Sequence, residues 1–220
     1  MKKHGFLFCL LSWLVFAGAA QARPTIVVDA GHGGHDRGGG PGQRLPEKGY
    51  TLDIAQRLRG ALREAGFPVV MTRDGDYFVS LGARCAAANE RRGSIFVSVH
   101  LNSGQREGAA GIETYYYSRQ SAALAAAIHP RLVNAAGTED RHLRQRGYYV
   151  LRNARGVAVL CECGFLTNRA EGSRIMTSSH RERLARAIAA GVMARYRLGW
   201  FQGIRSSGLR GARVGGNLIT

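Results

Sequence analysis

Residues 25–42 read TIVVDAGHGGHDRGGGPG, and this stretch decides the fold. Thr25 to Asp29 is a β-branched run of strand length, and it stops at a loop, 31–42, crowded with glycine. A helix is predicted next, over Glu47 to Ala65. Leu52, Ala55, Leu58 and Leu62 mark its apolar face, and Gly66 ends it. A strand, a Gly-rich turn and an amphipathic helix form the opening unit of a parallel sheet. The same alternation continues along the chain. Strands are predicted at Phe67–Thr72, Ser94–Val99 (SIFVSV), Gly111–Tyr117, Tyr148–Leu151 and Val157–Cys161. Helices are predicted at Leu81–Arg91, at Gln120–Ala136, and from Ser179 onward. In the last helix, Glu182 stands three residues after Ser179 as a capping box, and Leu184, Ile188, Val192 and Tyr196 form the stripe. The expectation is one α/β domain with a mostly parallel central sheet flanked by helices.

Composition bounds the rest. The chain has 220 residues, 45% hydrophobic and 21% charged, enough for one domain with a sizeable core. At the N-terminus, Lys2 and Lys3 precede an apolar run from Phe6 to Ala17 and then Ala20-Gln21-Ala22. These are the three regions of a signal peptide, so residues 1–22 are expected to be removed. The alternative is an uncleaved anchor, for which the run is short of the ~20 residues of a spanning helix. Cleavage would leave a catalytic-sized domain, 23–198, and a Gly/Arg-rich tail, 199–220, with no clear period.

The formal charge is +16, or +14 without the leader lysines. Lys occurs only at positions 2, 3 and 48, so 28 of the 31 basic residues are Arg. This excludes an acidic, solvating protein and predicts an anionic partner, although a GC-rich genome would give the same bias. An export signal and the lack of any nucleic-acid motif argue against nucleic acid. An anionic envelope or wall polymer, in the periplasm or outside the cell, suits an exported basic protein better, with no stable membrane insertion after cleavage. Of four Cys, Cys9 leaves with the leader. Cys85, Cys161 and Cys163 are an odd number, and the last two point to one face of a strand. Buried free thiols are expected.

Two histidines share an address. His32 follows the strand ending at Asp29, and His100 follows the strand ending at Val99. Ligand sites in open α/β sheets lie at the carboxyl ends of strands, so the two can converge. Glu47 opens the first predicted helix, where its carboxylate either caps the helix or joins the histidines. Two His and one Glu leave a position open on Zn²⁺, the pattern of hydrolytic zinc sites. Glu162, in the otherwise apolar Cys161-Glu162-Cys163-Gly164-Phe165, needs a partner or a task. Beside a metal it could act as general base and then acid. Two competing readings are a phosphate-cradling loop at Gly31, which lacks GxGxxG or GK[ST] spacing, and a cysteine zinc site at Cys161 and Cys163, whose spacing is atypical.

At these residues the sequence resembles the zinc-dependent N-acetylmuramoyl-L-alanine amidases of the Amidase_3 type. The matching segments are VVDAGHGGHDRGG, EKGYTLDIAQRLRGALREAGFPVVMTRDGDYFVSLGAR, AAANERRGSIFVSVHLNS, GIETYYY, YYVLRNA and VLCECGFLTNRAE. They follow the family's order from about Thr25 to Tyr196. The resemblance implies Zn²⁺ held by His32, Glu47 and His100, with Glu162 as the catalytic glutamate. It implies that Asn102 and Asn168 position substrate or loop, and that peptidoglycan is the substrate. Arg73 falls on a motif position and is expected to form a structural ion pair. His35, His129, His142 and His180 are expected in loops outside the ligand set. Cys161 and Cys163 depart from the family pattern without removing a ligand. The segment 120–136 fits the ordinary helix of the fold, which leaves little room for a regulatory one. A protein activator is left open. The rival functions are a non-catalytic peptidoglycan binder and a zinc peptidase cutting the stem peptide.

Overall fold

The computed structural model describes residues 23–207 apart from 41–42, 44 and 105–107, with side chains as far as Tyr196. The expected leader, 1–22, and the end of the expected tail, 208–220, lie outside the described residues. Six strands form one sheet: β1 (Ile26–Ala30), β2 (Val69–Met71), β3 (Ile95–Asn102), β4 (Ile112–Tyr116), β5 (Asp140–Gln145) and β6 (Val157–Phe165). Their order is β2-β1-β3-β6-β4-β5, and only β4 against β6 is antiparallel. The helices are α1 (Glu47–Glu64), α2 (Leu81–Asn89), α3 (Arg119–Ala136), α4 (Tyr149–Asn153), α5 (Arg169–Met176) and α6 (Ser178–Ser207). This is the expected α/β domain, with one antiparallel joint in its sheet.

All five residues of β1 are buried, because helices cover both faces of the sheet. Side-chain alternation then sorts the central strands between two layers. Val28 of β1, Val99 of β3 and Cys161 of β6 face a large cluster with Leu58 and Leu62 of α1, Leu124 and Leu132 of α3, and Leu184 and Ile188 of α6. Val27, Phe96 and Leu160 face the other way, onto Cys85 of α2 and Val150 of α4. That second face also carries Asp29, Ser98, His100 and Glu162, which alternate with the apolar residues of the first. The three described cysteines are free and buried, as expected. Burial pushes the Cys161 thiol up to about 12 and Cys163 well above its ordinary value, so neither is a thiolate.

Several local expectations are corrected. Tyr148–Leu151 is not a strand. Tyr148 precedes the short α4, and its carbonyl accepts from Leu151 N and Arg152 N at 3.0 Å each. The buried Val150 and Leu151 gave the apolar run that mimics a strand. The strand β5, DRHLRQ, is an edge strand with scarcely any apolar alternation to betray it. The helix α5 was also missed. It is short and starts at Asn168, whose Oδ1 accepts from Ala170 N and Glu171 N. The capping box at Ser179 is not formed: the Glu182 carboxylate goes to Arg57 and Arg186, and α6 begins at Ser178. This helix also runs on to Ser207, so 199–207 continue it rather than forming a loose tail. His129 and His180 are buried helical residues and His142 lies within β5, so none of the three is a loop residue.

Candidate metal centre and active site

The carboxyl ends of β1 and β3 lie side by side, with Ala30 opposite Val99. The last ladder bond runs from Gly31 N to Val99 O at 3.0 Å. The chain then turns sharply, and His32 adopts φ +61°, a left-handed conformation uncommon for a non-glycine residue. His32 Nδ1 sits 2.8 Å from Asp36 Oδ2, which turns Nε2 toward Glu47 Oε2, 3.1 Å away. Asp36 is itself held through Oδ1, which accepts from Gly38 N at 3.1 Å. From the other side, His100 Nδ1 lies 3.0 Å from Glu47 Oε1, and the same oxygen accepts from Leu101 N at 2.8 Å. One ligand atom from each of His32, Glu47 and His100 fits within 4.8 Å of the others.

Two glycines make this convergence sterically possible. A Cβ on Gly31 would lie 2.4 Å from the His100 ring, and one on Gly38 would lie 2.6 Å from both Glu47 Cβ and the His32 ring. Electrostatics tie the three groups together. Burial alone would raise the Glu47 carboxyl, yet hydrogen bonds from His100 and His32 hold it down at about 2. Burial favours neutral His100, but Glu47 outweighs this and raises the ring to about 9. His32 is raised for the same reason, with Asp36 adding to Glu47. A buried carboxylate between two imidazoles is a set of donor atoms that could hold a divalent cation.

Glu162 is the register partner of His100 on the adjacent parallel strand, so the two share a face. It lies within β6 rather than after it, as His100 lies within β3. Burial pushes its carboxyl up to about 7, and the carboxylates of Glu47 and Glu113 add to this while His100 opposes it. Its Oε2 is buried and has no hydrogen-bond partner among the described residues. A carboxyl poised near neutrality with a free oxygen is equipped to take and return a proton.

All four residues line one cleft of about 610 Å³. Phe78, Leu81, Tyr148 and Tyr149, each about half exposed, form its apolar wall. Asn102 lines the same cleft. Its Nδ2 donates to Glu113 Oε2 at 2.8 Å and its Oδ1 accepts from Ser103 N at 2.9 Å, which leaves one amide hydrogen without a partner among the described residues. Asn168 is spent as the cap of α5, with its Nδ2 3.4 Å from Gly108 O, and does not line this cleft. Arg73 makes no ion pair among the described residues. It donates instead to carbonyls and to Thr51.

Three residues of the site escaped the sequence reading. Asp36, which orients His32, was visible four positions along the same loop. Glu113 was visible as a lone charge in the Tyr-rich strand; it accepts from Asn102, Tyr115 and Arg141 and forms an ion pair with Arg144. Arg84 gave no signal, since one Arg on an amphipathic helix reads as a solvated residue.

The sequence profile of the family described as N-acetylmuramoyl-L-alanine amidase, Amidase_3, matches residues 26–194. The chain belongs to this amidase family. With that membership comes the reaction class, hydrolysis of the amide between N-acetylmuramic acid and L-alanine in peptidoglycan. The amidase is 34% identical over 204 residues to a Bacillus subtilis protein, YqiI, described as uncharacterized, covering 89% of this chain and 98% of that one. It is 35% identical over 177 residues to the B. subtilis N-acetylmuramoyl-L-alanine amidase LytC, covering 79% of this chain but only 36% of LytC. Among solved structures, the catalytic domain of the amidase CwlV from Bacillus (Paenibacillus) polymyxa var. colistinus superposes with a TM-score of 0.76 at 33% identity. That match covers 79% of this chain and 98% of CwlV's.

Proposed function

We propose that this amidase works outside the cytoplasm as a zinc hydrolase, with His32, Glu47 and His100 holding the metal and Glu162 moving the proton. The observation that carries the reading is the pairing of a two-His, one-Glu donor set with a buried, unpartnered carboxylate oxygen in the same cleft. Zinc held there would supply Lewis acidity, to polarise an amide carbonyl and to lower the pKa of water from ~15.7 to about 7. Glu162 takes a proton from the attacking water and returns it to the departing L-alanine nitrogen. Asp36 keeps His32 in the tautomer that offers Nε2 to the metal. Asn102 positions the substrate, while Asn168 holds the loop that leads into α5, the helix it caps. The apolar wall of Phe78, Tyr148 and Tyr149 offers a sugar ring a stacking surface beside the scissile amide.

Purified peptidoglycan sacculi test this reading. The untreated protein is expected to release intact stem peptides that begin with L-Ala, seen by mass spectrometry. Chelator is expected to stop release and added zinc to restore it. Stem peptides cut internally would favour a zinc peptidase, and no release with zinc present would favour a non-catalytic binder.

A further inference from the structure

Where β1 ends, its carbonyls leave the sheet ladder, and buried carbonyls need partners. Ala30, Gly31 and His32 find them in two guanidinium groups. Arg73 donates from Nε to Ala30 O at 2.9 Å and from Nη2 to Gly31 O at 2.7 Å. Arg84 donates from Nη1 to Ala30 O at 2.6 Å and from Nη2 to His32 O at 2.7 Å. Three successive carbonyls are thus each gripped by an arginine. Arg73 and Arg84 are only 1% and 3% exposed, and both are locked at further points. Arg84 pairs with Asp29 at 2.7 Å and donates to Val79 O at 3.0 Å. Arg73 Nη1 donates to Gly75 O at 3.0 Å, while its Nη2 also reaches Lys48 O at 2.8 Å and Thr51 Oγ1 at 3.1 Å.

Those last two bonds land near the start of α1, which carries Glu47. One guanidinium therefore ties the loop of His32 to the helix of Glu47. The clamp also acts on a strained point, because left-handed His32 is an unfavourable conformation that persists only where its surroundings over-determine it. Coulomb's law sets two buried cations against a metal ion nearby. What they contribute to such a site is therefore geometry.

We infer that Arg73 and Arg84 are positioning residues: together they hold the carbonyls of residues 30–32 so that His32 and Glu47 meet at metal-ligand distance. This rests on the zinc reading above. Lysine should not substitute, since a point ammonium cannot span two or three carbonyls as the guanidinium fork does.

The test is zinc affinity, measured by competition with a chromophoric chelator, in wild type, Arg73→Lys, Arg84→Lys and Leu132→Ala. Leu132 lies in the core on α3 and serves as a reference for destabilisation alone. Both arginine variants are expected to lose roughly 10–100-fold in affinity, while Leu132→Ala stays within about twofold. Arginine variants within about twofold of wild type, or no weaker than Leu132→Ala, overturn the clamp. Wild type that binds no zinc would instead overturn the metal site. If the lysine variants do not fold, NMR of the wild type decides. The Nε–H signals of Arg73 and Arg84 are expected to exchange slowly and to shift when zinc is added. Exchange as fast as at a surface arginine refutes the inference.

Discussion

On one face of the central sheet stand Val28, Val99 and Cys161; on the other, one residue further along each strand, stand Asp29, His100 and Glu162. The first face lies under three long helices and is apolar throughout its centre. The second is covered by the shorter α2 and α4 and opens into the cleft. The period of two along a strand thus lets one backbone serve both stability and chemistry, with neighbouring residues taking opposite duties. The same residue type shows the contrast. His180, buried near Cys163, is pushed down to about 4 by burial and by Arg183, Arg174 and Arg181, with Glu171 opposing. His100 is raised to about 9 by its carboxylate neighbour Glu47.

The sharpest way to break this division is on the polar face. Glu162→Gln is expected to keep the zinc and the fold but to lower turnover on sacculi by roughly 10³-fold. Activity near wild type, with zinc stoichiometry and unfolding midpoint unchanged, would remove Glu162 from the mechanism. On the apolar face the effect should be the reverse. Leu132→Ala is expected to cost about 2–5 kcal/mol in denaturant unfolding, with kcat unchanged well below the melting temperature. A fall in kcat without loss of stability would show that the two faces are not separate.

The smallest effect concerns His180. Its folded pKa lies below the ordinary 6.5, so the unfolded chain binds the extra proton. The stability this ring contributes is therefore complete above pH 6.5 and lost as pH falls toward 4. Unfolding midpoints of wild type and His180→Gln, followed from pH 7 to about 4.5, are expected to converge as the pH drops. Parallel curves would mean that the ring is not held neutral in the folded state.

Much of this was readable in advance, for physical reasons. Buried parallel strands such as IVVDA and SIFVSV announce themselves as unbroken β-branched runs, and the two candidate histidines stand at their ends. Elements without an apolar signature stayed hidden: the charged edge strand β5, and α5, which is defined by its cap. Periodicity also misled at α4, where two adjacent buried residues look alike in a strand and in a single helical turn. At the site, His32, Glu47, His100, Glu162 and Asn102, all named from the sequence, line one cleft. Those that hold them were mostly missed. Arg84 and the carbonyl bonds of Arg73 depend on contacts between distant segments, and local sequence does not carry those.

Glu47 has one further consequence. It is the only proposed ligand that belongs to α1, a helix packed on the apolar layer, while both histidines come from the strands β1 and β3 or the turn that follows. An ion shared among the three would act as a fastener between helix and sheet. By reciprocity, any loosening of α1 against the sheet would weaken the hold on the ion, and ion binding would tighten that seam. The metal would then report on the docking of a layer whose side chains otherwise never touch it.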